Sequence, residues 1–195
     1  MKLRPLHNSL KVNNLIAKAK NNERIAQTEL YHMFAPKMLS VCRWYTKDLQ
    51  YAEDVMVRGF FKAFQNLDTY KQTGSFEGWL RRIMTREAID FIRAHKELDF
   101  PEDFEYTLAK TTPAKSLDKQ HKLEQLQWCI DQLPDGYRMV FVLFAIEGYP
   151  HKEIAEKLNI SEGTSKSQLH KARKALQEMI GQKEKGVNYG RQKNR

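Results

Sequence analysis

The run GTSKSQLHKARK, residues 163–174, sets small polar groups ahead of cations. Read at helical period, Gly163, Thr164, Ser167, His170, Lys171 and Lys174 share one side, with Lys166, Gln168 and Arg173 at its flanks. Such groups near a helix start can hydrogen-bond base edges in a major groove, while ammonium and guanidinium groups further along reach phosphates. A second run, from Phe76, repeats the theme. Arg82, Thr85, Ile89, Arg93 and Lys96 face outward on it, flanked by Arg81 and Arg86. With Tyr70, Phe76, Trp79 and Phe91 close by, this surface can hold a nucleic-acid backbone and stack or pocket an unpaired base. Phe76 and Trp79 fit a core role better than a stacking one. Glu87 falls on the apolar side of the same helix, with no partner evident in the sequence.

Bond-making chemistry has no comparable footing. Cys42 and Cys129 sit far apart in apolar helical patterns, and the six histidines show no HExxH or clustered spacing, so neither a metal nor a cofactor is expected. GTSKS ends like a phosphate loop but lacks the glycines before Lys166, which excludes nucleotide binding there. No nucleophile with a base and no carboxylate cluster is visible, and Asp90 lies one turn from Arg86 and Arg93, where helix ion pairing accounts for it. The chain is therefore not expected to be an enzyme or to take a small-molecule substrate.

These faces need helices to carry them. Ile154, Ala155, Leu158 and Ile160 make one short amphipathic helix, NISEG supplies a turn with Ser161 as cap, and Ser165, Leu169, Ala172, Leu176 and Ile180 form the inner face of the next. This is helix-turn-helix spacing. Tyr137 to Ile146 is a strongly apolar helix that ends at EGYP, LPDGY makes the turn before it, and a further helix begins at His121. Upstream, helices are expected from Leu15, from Ala26 with Pro36 kinking or dividing it, over Ala52–Leu67, and over Phe76–His95 with Ser75 as cap. DTYKQTGS is the loop before the last of these.

The composition fits this layout. A net charge of +9 points to an anionic partner, nucleic acid first. The opening residues are polar and no apolar run is long enough to span a bilayer, so a cytoplasmic location is expected. The fold expected is all-α: a domain over 13–96, a flexible linker over 97–119, a helix-turn-helix domain over 120–180, and a disordered basic tail over 181–195. The linker carries an acidic run of Glu97, Asp99, Glu102, Asp103 and Glu105.

AEDVMVRGFFKAF, then GSFEGWLRRIMTREAIDFIR, then the stretch from Leu117 to Leu176 resemble the two conserved regions of the extracytoplasmic-function group of bacterial RNA polymerase sigma factors. The resemblance runs from about Leu15 to Ile180. It implies a promoter-recognition subunit that joins core RNA polymerase, with Asp54, Met56 and Phe60 facing the polymerase clamp. It implies that Tyr70, Lys71, Gln72, Arg81, Arg82, Thr85, Arg86 and Arg93 melt the minus-ten element and hold its single-stranded non-template strand. Gly163, Thr164, Lys166, Ser167, Gln168, His170, Lys171, Arg173 and Lys174 would read the minus-thirty-five duplex. An anti-sigma factor is a further partner the resemblance implies, and the acidic linker would thread the polymerase channels as a polyanion mimic or serve to keep the chain soluble. Val57, Arg58, Arg86, Ser165 and Gln168 depart from common residues of the group.

Two other readings use the same residues. A stand-alone helix-turn-helix regulator would bind duplex without polymerase, usually as a dimer. A nuclease would need the metal-binding carboxylates that the sequence lacks.

Overall fold

The computed structural model describes residues 4–95 and 119–192, with side chains over 10–95 and 123–180. Lys96, the acidic run and almost all of the expected linker lie outside the described residues. The chain divides into two compact units, Met1–Lys96 and Glu97–Arg195. Both are all-α among the described residues.

Unit 1 holds α1 (Arg4–Lys20), α2 (Arg24–Tyr45), α3 (Leu49–Gln65) and α4 (Phe76–His95). α1 begins at Arg4, ahead of the expected Leu15, and ends where Asn22 turns left-handed (φ 60) and the Glu23 N–H donates to the Lys18 carbonyl at 3.2 Å. α2 buries Ala26, Leu30, Phe34, Met38, Val41, Cys42 and Tyr45 at helical spacing. Pro36 does not divide it. That proline is exposed, so the carbonyl deprived of its donor faces water. Burial pushes the Cys42 thiol up to about 12, so it stays protonated and acts as a small apolar filler.

Asp48 caps α3, accepting from the Gln50 and Tyr51 amides at 2.7 and 3.3 Å. Ser75 caps α4 through the Gly78 N–H at 3.0 Å, as its place in the sequence predicts. Tyr51 meets Phe91 while Gly59 meets Met84, so α3 and α4 run antiparallel. A Cβ at Gly59 would stand 2.2 Å from the Met84 sulfur, so the flexible end of that side chain would have to move to admit one. α4 also packs on α2.

Unit 2 holds α5 (Lys119–Gln132), α6 (Asp135–Phe141), a π turn over Val142–Ile146, α7 (His151–Leu158) and α8 (Glu162–Gln192). LPDGY is not a free turn: Pro134 is the cap and α6 starts at Asp135. Proline needs no N–H at a helix start, and Asp135 suits that end of the dipole and pairs with Arg138 at 2.7 Å. The π turn closes with the Glu147 N–H on the Val142 carbonyl at 3.0 Å, and Gly148 (φ 77) ends it within the predicted EGYP. The core joins Ile130, Leu133, Tyr137, Met139, Leu143, Ile154, Leu158, Leu169 and Leu176. α8 continues to Gln192 where disorder is expected from Gly181; Gln, Lys and Glu in that stretch favour helix enough to carry it past its glycines.

Candidate nucleic-acid interfaces

In unit 2, α7 stops at Asn159, left-handed at φ 54, and the Ile160 N–H donates to the Ala155 carbonyl at 3.0 Å. Ser161 then caps α8, accepting from the Thr164 N–H at 2.9 Å. The two helices are also tied at their starts. His151 Nδ1 lies 2.9 Å from Ser165 Oγ, and its ring stacks on Phe144 of the π turn with centroids 4.6 Å apart. Ser165, buried on the inner face of α8, thus makes a hydrogen bond across the turn.

With α8 anchored this way, Gly163, Lys166, Ser167, His170, Arg173 and Lys174 are exposed, and Thr164 and Lys171 are half-buried on the same side. Gln168 is not among them. It is only 3% exposed, so it faces the core and is not a base contact, a correction to its expected place. Ile180 is exposed, and Ala175 and Met179 fill the inner face instead. Lys166 pairs with Glu162 at 2.7 Å, which lowers the Glu162 carboxyl through that hydrogen bond and charge. The Arg173 guanidinium lies over Phe144 at 5.4 Å. Lys171 and Lys174 are the lysines on this face with neither an ion pair nor a ring contact among the described residues. Replacing both by Ala should reduce the slope of log affinity against log salt by about 2 on any duplex, read from a fluorescence titration series. An unchanged slope would remove them from the interface.

In unit 1, α4 packs on both α2 and α3 and is buried over more than half its circumference. Arg82, Arg86 and Arg93 stay on its exposed stripe, and Arg81 is half-buried. Thr85 and Ile89 do not face outward. Thr85 Oγ1 lies 3.3 Å from the Tyr45 hydroxyl in the interior, and Ile89 is buried, because α2 covers the flank that the wheel leaves open. Arg86 lies 4.0 Å from Asp90, a weak surface pair.

The loop before α4 presents Lys71 and Gln72, with Gln72 left-handed at φ 57. Tyr70 is buried, correcting its expected DNA contact. Its ring packs edge-on to Phe76 at 5.4 Å and beside Trp79 at 5.5 Å, and its hydroxyl donates to the Gly74 carbonyl at 2.7 Å. Burial raises its pKa, which keeps the donor proton in place. Tyr70 therefore shapes the loop. Tyr70→Phe should cost about 1 kcal/mol locally. Faster amide exchange at Lys71–Gly74 with unit 1 melting nearly unchanged is the expected reading.

On α3, Asp54 is exposed, but Met56 and Phe60 are buried and cannot face a partner as expected. Phe60 is 3% exposed and Phe61 is 63% exposed. The outer face instead shows Asp54, Val57, Arg58 and Phe61. Two adjacent phenylalanines leave the inward one ambiguous in sequence, and the structure exposes Phe61 with Val57 one turn before it. Glu87 finds its partner in Lys62 of α3 at 2.6 Å.

Residues 30–97 match the family Sigma-70 region 2, and residues 123–176 match Sigma-70, region 4. Two such modules in this order define a promoter-directing subunit of RNA polymerase. The ECF RNA polymerase sigma factor SigW of Bacillus subtilis is 29% identical over 85% of this chain and 94% of its own length. SigE of Mycolicibacterium smegmatis is 32% identical over 66% of this chain, which spans about half (51%) of that relative. The chain belongs to the extracytoplasmic-function group of RNA polymerase sigma factors. The fold is also that of the sigma factor RpoE of Bartonella quintana, solved in complex with the anti-sigma factor NepR: TM-score 0.51 and 21% identity over 79% of this chain and 96% of that one.

Proposed function

We propose that unit 1 docks on core RNA polymerase through Asp54, Val57 and Phe61 of α3 and holds the opened non-template strand of the minus-ten element with Lys71, Gln72, Arg81, Arg82, Arg86 and Arg93. Unit 2 places α8 in the major groove of the minus-thirty-five duplex, with Gly163, Thr164, Ser167 and His170 nearest the bases and Lys166, Lys171, Arg173 and Lys174 toward phosphates. The observation that carries this reading is the division of α8 into a buried side and a polar, cationic side that begins at a capped helix start. The protein works by binding alone: the cationic stripe of α4 stabilises single strand once it is unstacked, which shifts the duplex toward the open form. An anti-sigma partner belongs to the same proposal, supported by the solved neighbour captured with one. The site of action is the cytoplasm, and among the described residues no helix is long and apolar enough to cross a membrane.

The test is co-elution with bacterial core RNA polymerase followed by transcription from a promoter library. Co-elution with selective transcripts supports the reading. Duplex binding without polymerase binding would return the chain to a stand-alone regulator.

A further inference from the structure

We propose that Lys62 and Glu87 form a positioning pair that sets the rotation of α4 and thereby aims its arginines for promoter opening. Among the described residues of unit 1, Glu87 is the only charged residue in the buried core. Its side chain is 8% exposed, that of Lys62 is 52% exposed, and the two meet at 2.6 Å. A buried charge is a poor way to gain stability, since an apolar side chain of similar volume serves as well or better. What it adds is geometric, because a buried carboxylate keeps its ion-pair partner only while the two helices hold it within reach.

Packing on α2 and α3 holds that rotation, and the pair adds a polar constraint to it. α3 and α4 cross where Gly59 has no side chain and Met84 is a flexible one, a contact that fills space without specifying an angle. Lys62 follows Phe61 at the edge of the outer face of α3, and Glu87 follows Arg86 at the edge of the exposed stripe of α4. The pair lies at the seam between these two faces. A roll of α4 would turn Arg82 and Arg86 away while leaving Val57 and Phe61 in place. The inference rests on the proposed roles of those faces.

The experiment compares Lys62→Met, which keeps the stem, Glu87→Gln, which keeps the shape, and the exchange K62E/E87K. Three quantities are read: affinity for core polymerase, permanganate reactivity of the minus-ten strand, and Tm. Either single variant should bind polymerase within about twofold of the parent and open the promoter about tenfold less, with the exchange recovering most of the loss. Parent-level opening by K62M and E87Q overturns the proposal. So does a fall in polymerase affinity that tracks Tm, since the pair would then be packing alone. A parent protein that binds no polymerase overturns the reading of α3 itself, and is distinguished by that first measurement.

Discussion

Phe61→Asp should weaken polymerase docking severely and leave the fold intact. Phe61 and Val57 stand one turn apart on the exposed side of α3, each more than half accessible, beside Asp54 and Arg58. Covering a phenylalanine of this exposure on binding is worth about 1.5–3 kcal/mol, and a carboxylate placed in the same contact adds a desolvation cost. Affinity for core polymerase should fall by at least about thirtyfold, as for a central anchor residue. Stability should change by no more than about 0.5 kcal/mol, because the ring packs on little within unit 1. Phe60→Ala is the contrasting variant. That ring is buried against Tyr31 at 4.8 Å, so its loss should cost about 3–5 kcal/mol and act through unfolding. A competition titration against core polymerase, paired with a circular dichroism melt, separates the two. Parent affinity in the Phe61→Asp protein would place the docking surface elsewhere.

The difference between Phe60 and Phe61 shows what the sequence could and could not carry. Periodicity and capping residues located α4 to the residue and the turn between α7 and α8 correctly, because both signals are local. The width of a buried arc is not local. α4 is covered by two neighbours rather than one, so Thr85 and Ile89 vanish from a face that a single-sided wheel leaves open. Gln168 sits at the same kind of boundary on α8, and a polar residue there reads as outward until the packing is seen. The Lys62–Glu87 pair spans two helices, and nothing in either helix alone names the partner. Division at Pro36 is the opposite case. Its local signal is strong, yet the helix runs through it because the packing on both sides outweighs one lost hydrogen bond on an exposed face.

The same limit of local reading applies to Asp135, and it carries the second large effect. The sequence around it looks like a turn, but Asp135 and Arg138 form an ion pair at 2.7 Å in which the side chains are only 10% and 3% exposed. Removing the carboxylate leaves a guanidinium in the interior, at a cost of about 3–5 kcal/mol. A domain of this size has about 3–9 kcal/mol in all, so Asp135→Ala should unfold much of unit 2 near physiological temperature. Asp135→Asn keeps an acceptor for the guanidinium and should cost less, about 1–3 kcal/mol. The functional consequence is selective: duplex binding by α8 should disappear in Asp135→Ala while polymerase binding through α3 persists. Thermal melts with both binding assays on the full chain test this. If Asp135→Ala melts with the parent, the remaining contacts of Arg138 satisfy its charge unaided, and the pair is then a register device for the start of α6 rather than a support for the core.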